Sequence, residues 1–79
     1  MKRKILIVED NVGLSQMQKD WFLQAGYEAV TAMNEPIARS LIRKTQFDLI
    51  LSDVRLPEGD GISLLEWLRK ERKDIPFII

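Results

Sequence analysis

The sequence predicts an α/β fold, a doubly wound parallel sheet laid out as strand, helix, strand, helix, strand, helix, strand. Two observations carry that expectation. Ile5-Leu6-Ile7-Val8, Leu49-Ile50-Leu51 and Phe77-Ile78-Ile79 are unbroken apolar runs, as strands buried on both faces of a parallel sheet require. Between these runs the apolar residues recur at helical spacing instead. Strands that alternate with helices of this length imply right-handed βαβ crossovers.

Taken in order, the first strand is Ile5 to Val8. Leu14, Met17, Trp21, Phe22 and Ala25 then fall on one helical stripe, with Gly26 as the C′ stop. Trp21 lies on that stripe and is expected in the core. Tyr27 to Ala32 is a weaker strand, placed at a sheet edge. Asn34 is a good N-cap for a second helix that tolerates Pro36 in its first turn and turns Ile37, Ala38, Leu41 and Ile42 to one face. Leu49 to Ser52 is the next strand. A third helix starts near Asp60-Gly61, uses Ile62, Leu64, Leu65 and Leu68, and ends in the charged run from Arg69 to Asp74 before Pro76. Trp67 falls well off its apolar face, where the expected contact is the stem of an Arg or Lys.

Composition narrows the chemistry. The 79 residues, 46% hydrophobic and 30% charged, make one globular unit at most. Such a chain buries only about 60% of its unfolded surface, so its stability is expected to be marginal. There is no Cys and no His, which excludes a zinc site, a thiol nucleophile, a Ser-His-Asp triad and an imidazole base. Twelve basic against 12 acidic residues give zero net charge, which argues against nucleic-acid contact by this segment. The basic start, Met1-Lys2-Arg3-Lys4, leads into an apolar run of four residues that ends in Glu9-Asp10, too short for a signal peptide. No stretch approaches the ~20 residues of a membrane span, and a cytoplasmic location is the simplest reading.

The carboxylates are the informative feature. Ile5 to Val8 runs into Glu9-Asp10, and Leu49 to Ser52 runs into Asp53. Ligands of open α/β sheets bind beyond the carboxyl ends of strands, where the strand order reverses. Singly, each acid would pass as a solvated strand end. Acids that end two strands of one βαβ pattern point instead to a shared pocket, where like charges repel unless a cation or proton intervenes. A hard divalent cation held through oxygen, Mg²⁺ for preference, is the economical solution. Behind Asp53, Pro57, Gly59 and Gly61 fix a tight connection into the third helix, with Asp60 as its N-cap.

These pieces together resemble the receiver domain of two-component response regulators. The resemblance is carried by Ile5-Leu6-Ile7-Val8-Glu9-Asp10-Asn11, by Gly26-Tyr27-Glu28, and by Asp48-Leu49-Ile50-Leu51-Ser52-Asp53 with Leu56-Pro57 and Asp60-Gly61 behind it. It covers Lys4 to Ile79. It implies a flavodoxin-like receiver fold, Asp53 as phosphoacceptor for a histidine kinase or a small donor, and Mg²⁺ held by Glu9, Asp10, Asp53 and the backbone carbonyl of Arg55. Pro57 and Gly61 would shape the loop. A receiver normally takes about 110–130 residues, within the usual domain range. Residues 1–79 would therefore be its N-terminal two thirds, with the switch Ser or Thr, the paired Lys and a C-terminal output domain, of transcriptional type, beyond them.

Partners expected on this reading are a sensor histidine kinase and a second chain at the exposed strand Phe77 to Ile79, since open apolar edges recruit strands. Neither a membrane nor a nucleic acid is expected. Lys19 and Asp20 read as a solvated face, on the helix that kinases commonly touch in this family. Two other functions were open. A Mg²⁺ phosphatase with an aspartyl-phosphate intermediate needs Asp-x-Asp, and Arg55 stands where the second acid would be. A receiver-like interaction module indifferent to phosphorylation has the same fold; the three acids argue against it for the parent protein, while for residues 1–79 alone, without the switch Ser or Thr and Lys, it stays open.

Overall fold

The computed structural model describes residues 2–71 and 73–79. Met1 and Arg72 lie outside them, and with them those parts of the basic start and of the charged run from Arg69 to Asp74. The chain runs β1 (Lys4–Val8), α1 (Val12–Gln24), β2 (Glu28–Ala32), α2 (Glu35–Lys44), β3 (Leu49–Ser52), β4 (Arg55–Leu56), β5 (Gly59–Asp60), α3 (Gly61–Lys70) and β6 (Phe77–Ile78). β1, β2, β3 and β6 form one parallel sheet in the order β2-β1-β3-β6. The α/β, doubly wound expectation holds, and β2 lies at an edge as expected. The strand order reverses between β1 and β3, so the carboxyl ends of these two neighbours flank the switch point. In register, Val8 lies opposite Ser52, which sets Glu9 level with Asp53.

Local chemistry explains the helix ends. Asn11, Asn34 and Asp60 are N-caps in extended conformation; their side-chain oxygens accept from the N–H groups of Leu14, Ile37 and Ser63 at 2.9, 2.9 and 2.6 Å. Each such cap is worth about 1 kcal/mol. α1 stops in a Schellman motif. Gly26, at φ +92°, donates its N–H to Leu23 O, and Tyr27 donates to Phe22 O.

The two faces of the sheet are covered unequally. Leu6, Val8 and Ile50 pack with Ala38 and Ile42 of α2, Leu64 and Leu68 of α3, and Phe47 and Leu56 in one buried cluster. Full burial of each large side chain there contributes roughly 1.5–3 kcal/mol. On the other face α1 packs over β1 and β2 and shields Ile5 and Ile7, while Leu49 and Leu51 are only half-buried and Ile78 is exposed.

Several expectations need correction here. Trp21 is 59% exposed and Met17 45%, not core. The face that α1 turns inward is Leu14, Ser15, Gln18, Lys19 and Phe22, which leaves Trp21 one residue off it and Lys19 half-buried, not solvated. The tight, exposed connection after Asp53 also has pairing of its own. It is a short antiparallel hairpin, β4 to β5, closed by Pro57 and by Glu58 at φ +55°, with Gly59 at φ +135°. At Trp67 the partners are basic as expected, but it is the guanidinium groups of Arg39 and Arg43, at 5.1 and 5.3 Å from the ring centroid, and not their aliphatic stems, that lie over the half-buried ring. Among the described residues no helix is long and apolar enough to cross a membrane.

Candidate functional site

β1 and β3 deliver three carboxylates to one place. Glu9 and Asp10 follow the last residue of β1, and Asp53 follows the last residue of β3. The backbone fixes them there: Glu9 N–H donates to Ala32 O at 2.9 Å, and Asp53 N–H donates to Val8 O at 3.1 Å, extending the sheet bonding by one step. Carboxylate oxygens of Glu9, Asp10 and Asp53 all lie within 4.8 Å of one another. Asp10 and Asp53 are exposed, while Glu9 is 5% exposed and accepts the Asn11 N–H at 3.1 Å.

The electrostatics follow from that crowding. Burial, above all, pushes the Glu9 carboxyl above its ordinary value of 4.5; the Asn11 N–H opposes this, and the carboxyls of Asp53 and Asp10 add to it. Negative charge is thus concentrated and partly desolvated at the strand ends, and a bound cation would relieve it. The donor set is all oxygen, which suits Mg²⁺ and not a soft metal.

Two bonds close the backbone on either side of Asp53. Gly61 N–H donates to Val54 O at 2.7 Å, and Ser52 Oγ donates to Asp53 O at 2.8 Å. Arg55 is exposed on β4 and pairs across the hairpin with Asp60, while Pro57 sits in the hairpin turn. Of the residues singled out from sequence, the three acids, Gly61 and the β4–β5 loop therefore meet at one end of the sheet.

Comparison with known proteins decides what this end of the sheet belongs to. The family model of the response regulator receiver domain matches residues 5–79. The chain belongs to that family. This receiver is similar to the polar-differentiation response regulator DivK of Brucella anthropi, with 36% identity over 99% of this chain and 65% of the relative. It is equally similar, at 36%, to the probable transcriptional regulator ycf27 of Porphyra purpurea, over 99% of this chain and 32% of that one. It thus spans less than two thirds of the length of these curated relatives.

Among solved structures, the non-phosphorylated HemR receiver domain from Leptospira biflexa superimposes with a TM-score of 0.89 at 41% identity, over 96% of this receiver and 61% of that chain. Response regulator TrrA from Thermotoga maritima, solved in complex with Mg²⁺-BeF, gives 0.92 at 28% identity, over 98% of this receiver and 67% of that chain.

One residue of this region was not visible to sequence reasoning. Glu35, the first residue of α2, is 4% exposed. Its carboxylate accepts from the Asp60 N–H at 3.0 Å, from Ser63 Oγ at 3.2 Å and from Arg39 Nη2. By itself a Glu after an Asn N-cap reads as a helix-dipole residue. Two of its partners lie far along the chain, and no local pattern announces them.

Proposed function

We propose that this receiver accepts a phosphoryl group on Asp53 from a sensor histidine kinase and acts as the phosphorylation switch of a two-component system. The observation that carries the proposal is the convergence of Glu9, Asp10 and Asp53 at adjacent strand ends, with their oxygens within 4.8 Å. An Asp53 carboxylate oxygen forms a bond to phosphorus while the P–N bond to the donor imidazole breaks, leaving an acyl phosphate and a free histidine. Glu9, Asp10, Asp53 and the Arg55 carbonyl would hold Mg²⁺, which when bound supplies positive charge beside the developing phosphoryl charge. Exposure of Asp53 leaves the nucleophile open to a donor protein, and the burial of Glu9 keeps one carboxylate in place at the floor of the site.

On this reading residues 1–79 belong to a cytoplasmic receiver that relays its state to an output domain of transcriptional type. It is a phosphoacceptor and not a turnover catalyst for an outside substrate. The test is incubation with acetyl phosphate in the presence of Mg²⁺. Wild type is expected to gain one phosphoryl group by intact mass and Asp53→Asn none. Identical behaviour of the two would favour an interaction module indifferent to phosphorylation.

A further inference from the structure

The loop that carries Asp53 into α3 has little of its own to hold it. Val54, Arg55, Pro57, Glu58 and Gly59 are all exposed, and Leu56 is its one buried apolar anchor. What reaches it from outside is Glu35. This carboxylate is buried among three donors from three elements: the backbone of β5, the Ser63 hydroxyl of α3 and the Arg39 guanidinium of α2. A buried carboxylate is costly unless it is fully hydrogen-bonded, so its geometry is tightly set. Gly59 makes the approach possible: a Cβ there would lie 2.8 Å from the Glu35 Cβ and would overlap Oε1.

From Asp60 two short routes lead to the site. Across the hairpin Asp60 pairs with Arg55. Along the chain it precedes Gly61, whose N–H bonds Val54 O and where an added Cβ would overlap the Asp53 carbonyl oxygen. We propose that Glu35 is a positioning residue for the Asp53 site, holding β5 through the Asp60 N–H so that Asp53 and the Arg55 carbonyl keep their places around a bound Mg²⁺. The proposal rests on the reading of Glu9, Asp10 and Asp53 as a Mg²⁺ site. The working atom is the acceptor Oε1 at full side-chain length, not the negative charge.

That distinction gives the test. The full chain is titrated with MgCl₂ by calorimetry as wild type, Glu35→Gln, Glu35→Asp, Glu35→Ala and Asp53→Asn, with thermal midpoints measured without Mg²⁺. Glu35→Gln keeps an acceptor within reach of Asp60 and is expected to bind nearly as wild type. Glu35→Asp keeps the charge but is one methylene short, and with Glu35→Ala it is expected to weaken Mg²⁺ by about tenfold, as loss of a ligand-orienting partner typically does. Wild-type affinity in Glu35→Asp, or loss in Glu35→Gln equal to that in Glu35→Ala, overturns the proposal, because charge or folding would then be the role. Wild type titrating like Asp53→Asn would instead sink the site reading, and this proposal with it.

Discussion

Gly61 lies against the backbone of Asp53: a Cβ at position 61 would overlap the Asp53 carbonyl oxygen and come within 3.1 Å of its carbonyl carbon and of Ser52 Oγ. The first residue of α3 is thus seated directly on the residue proposed to carry the phosphoryl group, and no side chain fits between them.

Gly61→Ala must therefore move either α3 or Asp53, because the obstacle is backbone. The expected cost is about 1–3 kcal/mol, typical of a methyl forced into a filled space. Denaturant unfolding checks the stability, and intact mass after acetyl phosphate treatment checks the uptake, which should fall with it. Gly13 is the natural control, since a Cβ there meets only Asn11 Oδ1 at 3.5 Å.

Mg²⁺ should stabilise the fold, because three carboxylates held close together repel in its absence. At a free concentration near one hundred times the dissociation constant the gain is about 2.7 kcal/mol, or about 10–20 °C in Tm for a domain of this size. Asp10→Asn removes one ligand charge and should give a smaller rise. A thermal melt of both proteins with and without MgCl₂ measures it.

Much of this site could be read from sequence because the acids follow directly on apolar runs, and a parallel sheet leaves few places where strand ends can meet. Glu9, Asp10 and Asp53 are placed by strand register alone. Trp21 was misplaced for the opposite reason. Helical spacing shows that apolar residues share a face, but not how wide a face the sheet covers, and on that side α1 is the sole helix among the described residues. Glu35 escaped altogether, since its role depends on contacts with Asp60 and Ser63 that only the folded chain creates.

The Glu9 carboxyl sets the sign of a pH effect. Its value in the fold is raised above 4.5, so the folded state holds that proton more tightly than the unfolded chain. Its contribution is most favourable below the unfolded value and is lost as pH rises through the raised one. Without Mg²⁺, wild type should therefore lose stability relative to Glu9→Gln as pH climbs from below 4.5 through the raised value. Urea midpoints across that range measure the difference, and a flat difference would contradict the raised value. Saturating Mg²⁺ should reverse the trend.

Arg39 links the Glu35 carboxylate to the surface, with its guanidinium also over the Trp67 ring at 5.1 Å. Arg39→Ala leaves Glu35 with Asp60 and Ser63 as donors but with no opposite charge. Breaking a fully buried pair costs 3–5 kcal/mol; the Arg39 side chain is 32% exposed, so about 1–2 kcal/mol is expected here. Arg39→Lys keeps a charge but not the planar group on the ring, and should recover part of that loss. Chemical denaturation in a Trp21→Phe background, where Trp67 is the sole tryptophan and its fluorescence a local probe, separates the two.

The open side of the sheet makes the last prediction. β6 pairs with β3 on one edge, and among the described residues no strand pairs with the other. Next to that edge Ile78 and Ile79 are about half exposed, and on the same side of the sheet Leu49 and Leu51 are only half-buried, with Trp21 and Met17 exposed on α1. An apolar edge of this kind presents free backbone groups together with side chains that favour a second copy. This chain is accordingly expected to self-associate with rising concentration in sedimentation velocity. Ile78→Lys places a charge on the edge and should shift the population back to monomer without unfolding it, since Ile78 is 52% exposed already. Trp21→Lys, on α1 and off the strand edge, should have the smaller effect if strand pairing drives association and the larger one if face-to-face packing does. A wild-type chain that stays monomeric at high concentration would show that neither surface is sticky enough to matter.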